Sequence, residues 1–388
     1  MSLKKVVVKI HLWLGLASGL IVLFLGVTGC ILAFEKEIES VTNTYQYTAG
    51  ETRPILPPSV LKSKADAMVP GKKAHGIAYR NTGNAAQVSY YNADPEYFYI
   101  VYLNPYTGDV QKVKNMDDDF FRIIIMGHFY LWLPPAIGQP IVASATLIFV
   151  IMLITGLILW WPKSKAARKQ RFTVKFSARW RRVNYDLHNV LGFYMTWVAL
   201  FIALTGLVMG FQWFAKAVYL TTSGGKEMVQ FYEPVIPKGT ATEAPAIDQL
   251  WKKMTAENPG AEIIEVHVPS SDSTAIEVAI NPDADTYYKT DYRYFDQYTL
   301  KEIEVKHLYG RYANTSKADK LARMNYDIHI GAIWGLPGKM LAFFASLIAA
   351  SLPVTGFLIW YGRRKKKSKN KVITSSVPAA KSRLATAE

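Results

Sequence analysis

Cysteine is almost absent from this sequence: Cys30 is the single one among 388 residues. One thiol cannot form an internal disulfide. It also cannot supply the ligands of a cysteine-bound iron–sulfur cluster or the Cys-x-x-Cys-His attachment of a c-type haem. Any haem would therefore be held without a covalent link, and the folded parts of the chain must be stabilised by packing alone.

Nucleotide-binding and nucleophile motifs are missing as well. No G-x-G-x-x-G follows a candidate strand, so the sequence predicts no dinucleotide fold for NAD or FAD. No serine or cysteine nucleophile motif occurs. If the chain carries out redox chemistry, its electrons must come from a quinol or from a separate cytoplasmic reductase.

Charged residues are missing from the centres of four long apolar stretches, at about 10–34, 140–161, 189–214 and 339–361. A helix of about 20 apolar residues crosses a bilayer, so each stretch is predicted to be a transmembrane helix. The first stretch is too long for a secretory signal peptide, and no small-x-small cleavage site follows it. We expect it to remain as a membrane anchor.

The net charge of +15 lies almost wholly beside these stretches. Residues 1–9, 162–187 and 363–388 together carry 21 Lys and Arg against two Asp and Glu, and the rest of the chain has a net charge of −4. Short basic segments beside membrane helices are cytoplasmic under the positive-inside rule. The pattern places both termini in the cytoplasm, and it indicates membrane lipid rather than nucleic acid as the partner of the basic segments.

Two halves of the sequence repeat one pattern. His11 and His188 each precede a Gly by four residues and a Thr-Gly pair by seventeen. A second histidine in each half, His128 or His329, is followed by a Trp and a Pro before the second apolar stretch. Both second stretches end in Thr-Gly-x-x-x-Trp. Such agreement indicates two parallel pseudo-repeats, each beginning in the cytoplasm.

The segments between the apolar stretches also match one another. Each begins with an amphipathic helix candidate, Ser59–Met68 or Ala246–Met254, which a Pro-Gly pair ends. Strands rich in Tyr, Val and Ile follow, in Tyr97–Val110 and in Tyr292–Ile303. Each segment is predicted to be a small α+β domain with a helix on an antiparallel sheet.

The turn Asn104-Pro-Tyr-Thr-Gly-Asp109 resembles the signature of PepSY domains. With the four helices and the doubled His-x₃-Gly…Thr-Gly pattern, residues 3–362 resemble the PepSY-associated transmembrane family, which includes bacterial inner-membrane di-haem ferrisiderophore reductases. The second copy departs from the signature, because Asp296–Lys301 lacks the turn glycine. The resemblance implies a periplasmic ferric siderophore as the substrate, from which reduction releases iron.

The sequence and the resemblance together predict an α-helical membrane protein of the bacterial inner (cytoplasmic) membrane, with two exported α+β PepSY-like domains. The predicted parts are the N-terminus with the first transmembrane helix (1–34), the first periplasmic domain (35–139), the second helix (140–161), a basic cytoplasmic loop (162–187), the third helix (188–214), the second periplasmic domain (215–338), the fourth helix (339–361) and a basic cytoplasmic tail (362–388).

Four histidines are the candidate cofactor ligands. Polar side chains at membrane depth usually face the bundle interior and serve a function, and haem iron takes axial His ligands. Because repeat-equivalent residues meet across a pseudo-twofold axis, His11 is expected to pair with His188 and His128 with His329. The sequence thus predicts two b-type haems, each with two His ligands to its iron.

Glycines support a second cofactor further along the same helices. Gly29 and Gly206 follow His11 and His188 by eighteen residues. At 3.6 residues per turn they return to the face of their histidine, roughly 27 Å along the helix. They are expected to leave room there for the haem of the other histidine pair.

Other interpretations of the histidines stay open. Interfacial histidines can simply bind backbone or lipid headgroups. A bare zinc ion needs three or four ligands together, and no Cys, Asp or Glu stands at a ligand spacing beside either pair.

The string Asn-Tyr-Asp-x-His precedes both His188 and His329. Its Asp186 and Asp327 either cap a helix N-terminus just before the apolar stretch or, with the Asn, fix the ring of a ligating histidine. Cations near the histidines could bind haem propionates. By position these are Lys9, Arg182, Arg122 and Arg323.

Two other functions fit parts of the pattern. A non-enzymatic, membrane-anchored binding module would use the exported domains and keep the histidines as structural residues. A siderophore transporter or permease would use the helices, although transporter repeats are often inverted, these halves run parallel, and no carboxylate lies in mid-helix.

Overall fold

The structure is a computed structural model that describes residues 2–162, 164–240 and 243–375. Lys163 of the predicted basic loop and residues 376–388 of the predicted basic tail lie outside these ranges. Within them the chain forms eleven α-helices and eight β-strands. The helices are α1 (Leu3–Leu32), α2 (Glu35–Thr42), α3 (Pro58–Asp66), α4 (Phe120–Tyr130), α5 (Pro135–Trp160), α6 (Lys165–Arg171), α7 (Trp180–Gly210), α8 (Gln212–Thr222), α9 (Ala246–Glu257), α10 (Lys317–His329) and α11 (Gly335–Ser375).

Four helices in the described chain are long and apolar enough to cross a membrane, and each overlaps one predicted stretch. They span Leu3–Leu32, Pro135–Trp160, Trp180–Gly210 and Ala332–Arg364. The third begins nine residues before the predicted stretch at 189. The prediction starts late because hydropathy detects only the apolar part of a helix. The polar segment Trp180–Leu187 belongs to the same helix, since its backbone hydrogen bonding is continuous with that of the apolar part.

The chain divides into two compact units. The first unit comprises the chain up to Val27, residues 145–200 and the chain from Ala345 on. The second unit comprises residues 28–144 and 201–344.

The first unit packs helices through small residues. A Cβ added to Gly26 of α1 would lie only 2.7 Å from the Ser346 carbonyl oxygen of α11, so the two backbones approach closely. Small residues allow such an approach between membrane helices. Two larger side chains, Leu153 and Met195, are buried in this unit together with Ala199 and Ala349.

The second unit is built on a single antiparallel sheet. Its strands are β1 (Ala74–Arg80), β2 (Ala86–Ala93), β3 (Glu96–Leu103), β4 (Val110–Asn115), β5 (Ile263–His267), β6 (Ile276–Asn281), β7 (Asp291–Phe295) and β8 (Glu302–Ile303). Their order across the sheet is β4-β3-β2-β1-β5-β6-β7-β8, so β1 and β5 lie side by side at the centre.

Two helices cover one face of this sheet. Leu61 and Ala65 of α3 pack on β1 to β4, and Leu250 and Met254 of α9 pack on β5 to β7. Asp248 of α9 joins the two helices, since its carboxylate accepts hydrogen bonds from the backbone N–H and the hydroxyl of Ser59, at 2.8 and 2.5 Å. The predicted helix-on-sheet arrangement is present in both segments.

The two segments share one sheet, which the sequence did not indicate. Each four-stranded half would expose an unpaired edge at β1 or β5, and pairing these edges satisfies the backbone groups of both strands. The register is antiparallel, from Gly76 opposite His267 to Arg80 opposite Ile263. The residue boundaries of the two predicted domains remain a prediction, and so does their location outside the cytoplasm.

The central pairing can be tested by cross-linking. Ala78 of β1 stands directly opposite Glu265 of β5, within the Cα separation that a disulfide tolerates. In a Cys30→Ser background, Ala78→Cys with Glu265→Cys should form a disulfide on oxidation. With a protease site inserted in the 162–187 segment, the two fragments should then stay linked on a non-reducing gel after cleavage.

The matched control pairs Ala78→Cys with Ala279→Cys. Ala279 of β6 lies opposite Glu265, and therefore two strands away from Ala78, about 9–10 Å at the usual strand spacing. Fragments that separate in the first variant, or that stay linked equally in both, would contradict the continuous sheet.

Candidate functional site

The structure divides the four candidate histidines between the two units. His11 of α1 and His188 of α7 lie in the first unit, and His128 of α4 and His329 of α10 lie in the second. Each unit therefore holds one histidine from each half of the sequence, as the repeat predicts. His128 and His329 stand near the ends of shorter helices that precede α5 and α11, rather than on the long helices themselves.

Every one of these histidines contacts a threonine through its Nδ1 atom. The threonine belongs to a Thr-Gly pair on another helix of the same unit. The Nδ1–Oγ1 distances are 2.8 Å for His11 and Thr155, 2.8 Å for His128 and Thr28, 2.8 Å for His188 and Thr355, and 3.0 Å for His329 and Thr205.

The direction of these hydrogen bonds follows from the threonine hydroxyls. The Thr155 hydroxyl is 2.8 Å from the Ile151 carbonyl oxygen, and Thr355 lies 3.0 Å from that of Ser351. A carbonyl can only accept, and a hydroxyl has one proton to donate. Because that proton goes to the backbone of its own helix, the hydroxyl accepts from the ring, and the histidine Nδ1 carries the hydrogen.

His329 gives a separate indication of the same tautomer. Its Nδ1 atom is 2.9 Å from the Ile202 carbonyl oxygen, in addition to its contact with Thr205. Since a carbonyl offers no proton, the ring must donate. A neutral imidazole with Nδ1–H keeps its Nε2 lone pair free, and this is the form in which histidine binds a metal.

The rings of His128 and His329 lie close together in the second unit. The centroids of His128 and His329 are 6.4 Å apart, and the ring planes are inclined by 67°. An ion bound about 2 Å from one nitrogen of each ring puts the centroids roughly 6 Å apart. In the first unit, His11 and His188 stand on different helices, α1 and α7.

The glycine of a Thr-Gly pair provides space for the ring that its threonine holds. A Cβ on Gly156 would lie 3.5 Å from the Cε1 atom of His11, and one on Gly356 would lie 3.3 Å from the Cε1 atom of His188. A side chain longer than one carbon at either position would press on the imidazole. The roles predicted for Gly29 and Gly206 stay predictions.

The arrangement brings two candidate histidines into each unit. No group of three or more His, Cys, Asp and Glu within the described residues could hold a metal ion. A cofactor that needs only two axial side chains suits these pairs, whereas zinc needs three or four.

The prediction that Asp186 and Asp327 cap helices is wrong. Asp186 lies in the second turn of α7 and pairs with Arg182 at 2.8 Å. Asp327 lies in the last turn of α10, fully buried, where its carboxylate accepts from the backbone N–H groups of Tyr287 and Tyr288 at 3.1 and 2.9 Å. Burial raises the pKa of Asp327, although these two amides oppose the shift. Asp327 thus anchors the helix of His329 to the loop after β6.

Three of the four candidate propionate cations have protein partners. Arg182 pairs with Asp186, and Arg122 lies against the Phe98 ring, 4.9 Å from its centroid. Arg323 donates to the Thr290 carbonyl oxygen, and its Nη1 atom is buried without a partner in the described residues. Lys9 lies on the exposed side of α1.

Sequence reasoning found the four histidines but not the four threonines. The Thr-Gly pairs were visible as the most regular part of the repeat, at residues 28, 155, 205 and 355. A threonine that recurs at a fixed position in apolar helices, where polar groups are costly, is the signal that could have identified them.

Comparison with known proteins assigns the chain to a family. The model of the PepSY-associated TM region matches residues 8–363. The family predicted from the motifs is thereby confirmed. A search of curated proteins found no match to the chain.

Glu35, the first residue of α2, has a carboxyl group with a raised pKa. Burial, reinforced by the nearby carboxylates of Glu39 and Asp119, raises the pKa of Glu35 from 4.5 to about 7, and Lys114 only partly opposes the shift. Lys114 is already paired with Asp119 at 2.7 Å and Glu39 at 3.1 Å. Asp119 caps α4, which carries His128, through the Arg122 backbone N–H.

The raised pKa predicts a pH-dependent stability. The folded protein binds the Glu35 proton more tightly than the unfolded chain does, so the stability contributed by this group is greatest below about pH 4.5 and is lost as the pH rises to about 7. Glu35→Gln should raise the apparent melting temperature in detergent at pH 8 and leave it unchanged at pH 4.5.

The matched control is Glu39→Gln, one helical turn further along α2. That change removes the ion pair with Lys114 and should lower the melting temperature at pH 8. If Glu35→Gln melts at the wild-type temperature at pH 8, Glu35 does not have the raised pKa.

Proposed function

Because the chain belongs to the PepSY-associated transmembrane family, we propose that it is a membrane haem b oxidoreductase that reduces a ferric siderophore outside the cytoplasm. The single observation that carries this proposal is the shared geometry of the four histidines. Each contacts a threonine hydroxyl through Nδ1, a contact that leaves Nε2 available as a ligand when Nδ1 carries the hydrogen, and the histidines occur as one pair in each unit.

Each histidine pair would supply the two protein ligands that a b-type haem takes in electron-transfer proteins. His11 and His188 would hold one haem, and His128 and His329 would hold the other. When bound, these haems would supply one-electron transfer between a donor on the cytoplasmic side and an acceptor on the periplasmic side. Two histidine ligands leave no open position at the iron, which suits electron transfer better than oxygen activation.

The protein's own part is to bind the cofactor and fix its ligands. The four threonines set the tautomer and the rotation of each imidazole, and their hydrogen bonds raise the basicity of the ligating nitrogen. The glycines at 156 and 356 leave space for the rings. Addition of an electron to iron transfers no proton by itself, so the proposal assigns no acid–base residue.

The charge distribution supports an inward donor and an outward acceptor. The basic segments at residues 1–9, 162–187 and 363–388 favour a cytoplasmic location for both termini, in the inner membrane of a bacterium. Electrons would come from a quinol or a cytoplasmic reductase, since the sequence lacks a dinucleotide-binding fingerprint. The acceptor would be a ferric siderophore. Its hard oxygen ligands bind Fe(III) better than Fe(II), so addition of one electron weakens the complex and releases the iron.

Absorption spectra of the detergent-purified protein, oxidised and dithionite-reduced, test the cofactor. We expect a Soret band, sharp α and β bands on reduction, and two haems per chain. His11→Ala and His128→Ala should each remove about one haem, because each leaves one pair without a ligand. His75→Ala, in the sheet, is the control and should retain both.

The acceptor is tested on the same preparation. Reduced protein mixed without oxygen with a ferric hydroxamate complex should be reoxidised, with Fe(II) trapped by a chelator. A chain that stays colourless after incubation with haem would contradict the cytochrome and favour a membrane-anchored binding module. A different result would favour a transporter: the protein binds haem but is not reoxidised by the ferric complex, and membranes that contain the protein accumulate that complex.

A further inference from the structure

The repeated Asn-Tyr-Asp-x-His string contains a second contact with the threonines. The Nδ2 atom of Asn184 donates to the Thr355 carbonyl oxygen at 3.1 Å, and that of Asn325 donates to the Thr205 carbonyl oxygen at 3.1 Å. These are the same threonines whose hydroxyls accept from His188 and His329. The two contacts recur in both units, on different helices.

Helical spacing explains how one helix contacts both the hydroxyl and the backbone carbonyl of the same threonine. Asn184 and His188 are four residues apart on α7, so they lie on one face of that helix. Asn325 and His329 have the same spacing on α10. Two contacts from one face to one residue restrict the rotation and the sliding of the two helices, which a single hydroxyl contact cannot do.

The other histidine of each pair lacks this arrangement. Four residues before His11 stands Val7, and four residues before His128 stands Ile124. Neither side chain can donate a hydrogen bond. In each unit, the threonine that contacts one histidine also accepts a hydrogen bond from an amide four residues before that histidine, and the other histidine has no amide side chain at that spacing.

Asn184 is kept in place at an energetic cost. The residue is 3% exposed, and its Oδ1 atom is buried with no partner in the described part of the chain. A buried polar atom without a hydrogen bond is destabilising, so an apolar residue of similar shape would be favoured by stability alone. A role for the N–H group explains its presence.

We propose that Asn184 and Asn325 are positioning residues that hold His188 and His329 in orientation by clamping Thr355 and Thr205. This inference rests on the proposed haem ligation. Each amide keeps the threonine hydroxyl in line with the imidazole Nδ1–H. A strong hydrogen bond at Nδ1 makes the imidazole a better donor to iron and stabilises the oxidised form. Loss of either amide weakens that bond and raises the reduction potential of the haem in its own unit.

The experiment measures midpoint potentials in chains that keep one haem. Asn184→Leu is placed in the His128→Ala background, which retains the His11–His188 pair, and Asn325→Leu in the His11→Ala background, which retains the other. Each should keep its haem and show a higher midpoint potential than its parent. The first control exchanges the backgrounds, with Asn184→Leu in His11→Ala and Asn325→Leu in His128→Ala. Neither variant should change the midpoint potential relative to its parent, because the substituted amide then belongs to the unit without haem.

Asn189→Leu in the His128→Ala background is the second control. Asn189 follows His188 directly, but its amide donates to the Tyr185 carbonyl oxygen and contacts no threonine of the site. This change should leave the potential unaltered. If Asn184→Leu does not accumulate as folded protein, Asn184→Ala removes the same N–H with less change in packing.

A double-mutant cycle distinguishes an effect of Asn184 that acts through Thr355 from a general loss of helix packing. Thr355→Val removes the hydroxyl through which Asn184 acts, so Asn184→Leu should cause little further shift in the Thr355→Val chain. Equal potentials in Asn184→Leu and its parent, or fully additive shifts in the cycle, would overturn the inference even though haem is bound. Absence of haem from the wild-type chain would instead overturn the proposed function.

Discussion

The hydrogen bond from a histidine Nδ1–H to a threonine hydroxyl is the constraint on which the rest of the site depends. A threonine in a long apolar helix can donate its one proton to its own backbone and still accept a second bond. The same residue is therefore compatible with an apolar environment and able to orient an imidazole. Each of these bonds joins two helices, so the packing of each unit and the direction of its Nε2 lone pairs are set together.

In both the sheet and the helices, elements from the first half of the sequence pack beside their counterparts from the second half. In the second unit, strands β1–β4 and β5–β8 come from different halves of the chain and meet at β1 and β5. In both units, a histidine from one half stands near a histidine from the other. Pairing of this kind explains why the repeat is found in the helices, in the strands and in the candidate ligands together. It also explains why one half could not complete a histidine pair alone.

Much of this architecture can be predicted from the sequence, but its contacts cannot. Hydropathy locates the four long helices, and the repeat predicts which histidines share a unit. Sequence spacing cannot show which helices are neighbours, so the contact of Thr155 with His11, 144 residues away, was not foreseen. For the same reason the helix-cap interpretation of Asp327, one of the two left open, is wrong, because its carboxylate binds the backbone of a loop 40 residues earlier. The joining of β1 to β5 was missed because strand patterns specify a face and not a partner.

The most direct test of the account is the electron paramagnetic resonance spectrum of the oxidised, purified protein. Two histidine ligands with Nδ1–H groups held by threonine predict low-spin ferric haem at both sites, with two such signals of equal intensity accounting for all the iron. A dominant high-spin signal would mean that at least one histidine of a pair does not bind, and a spectrum without any haem signal would contradict the account as a whole.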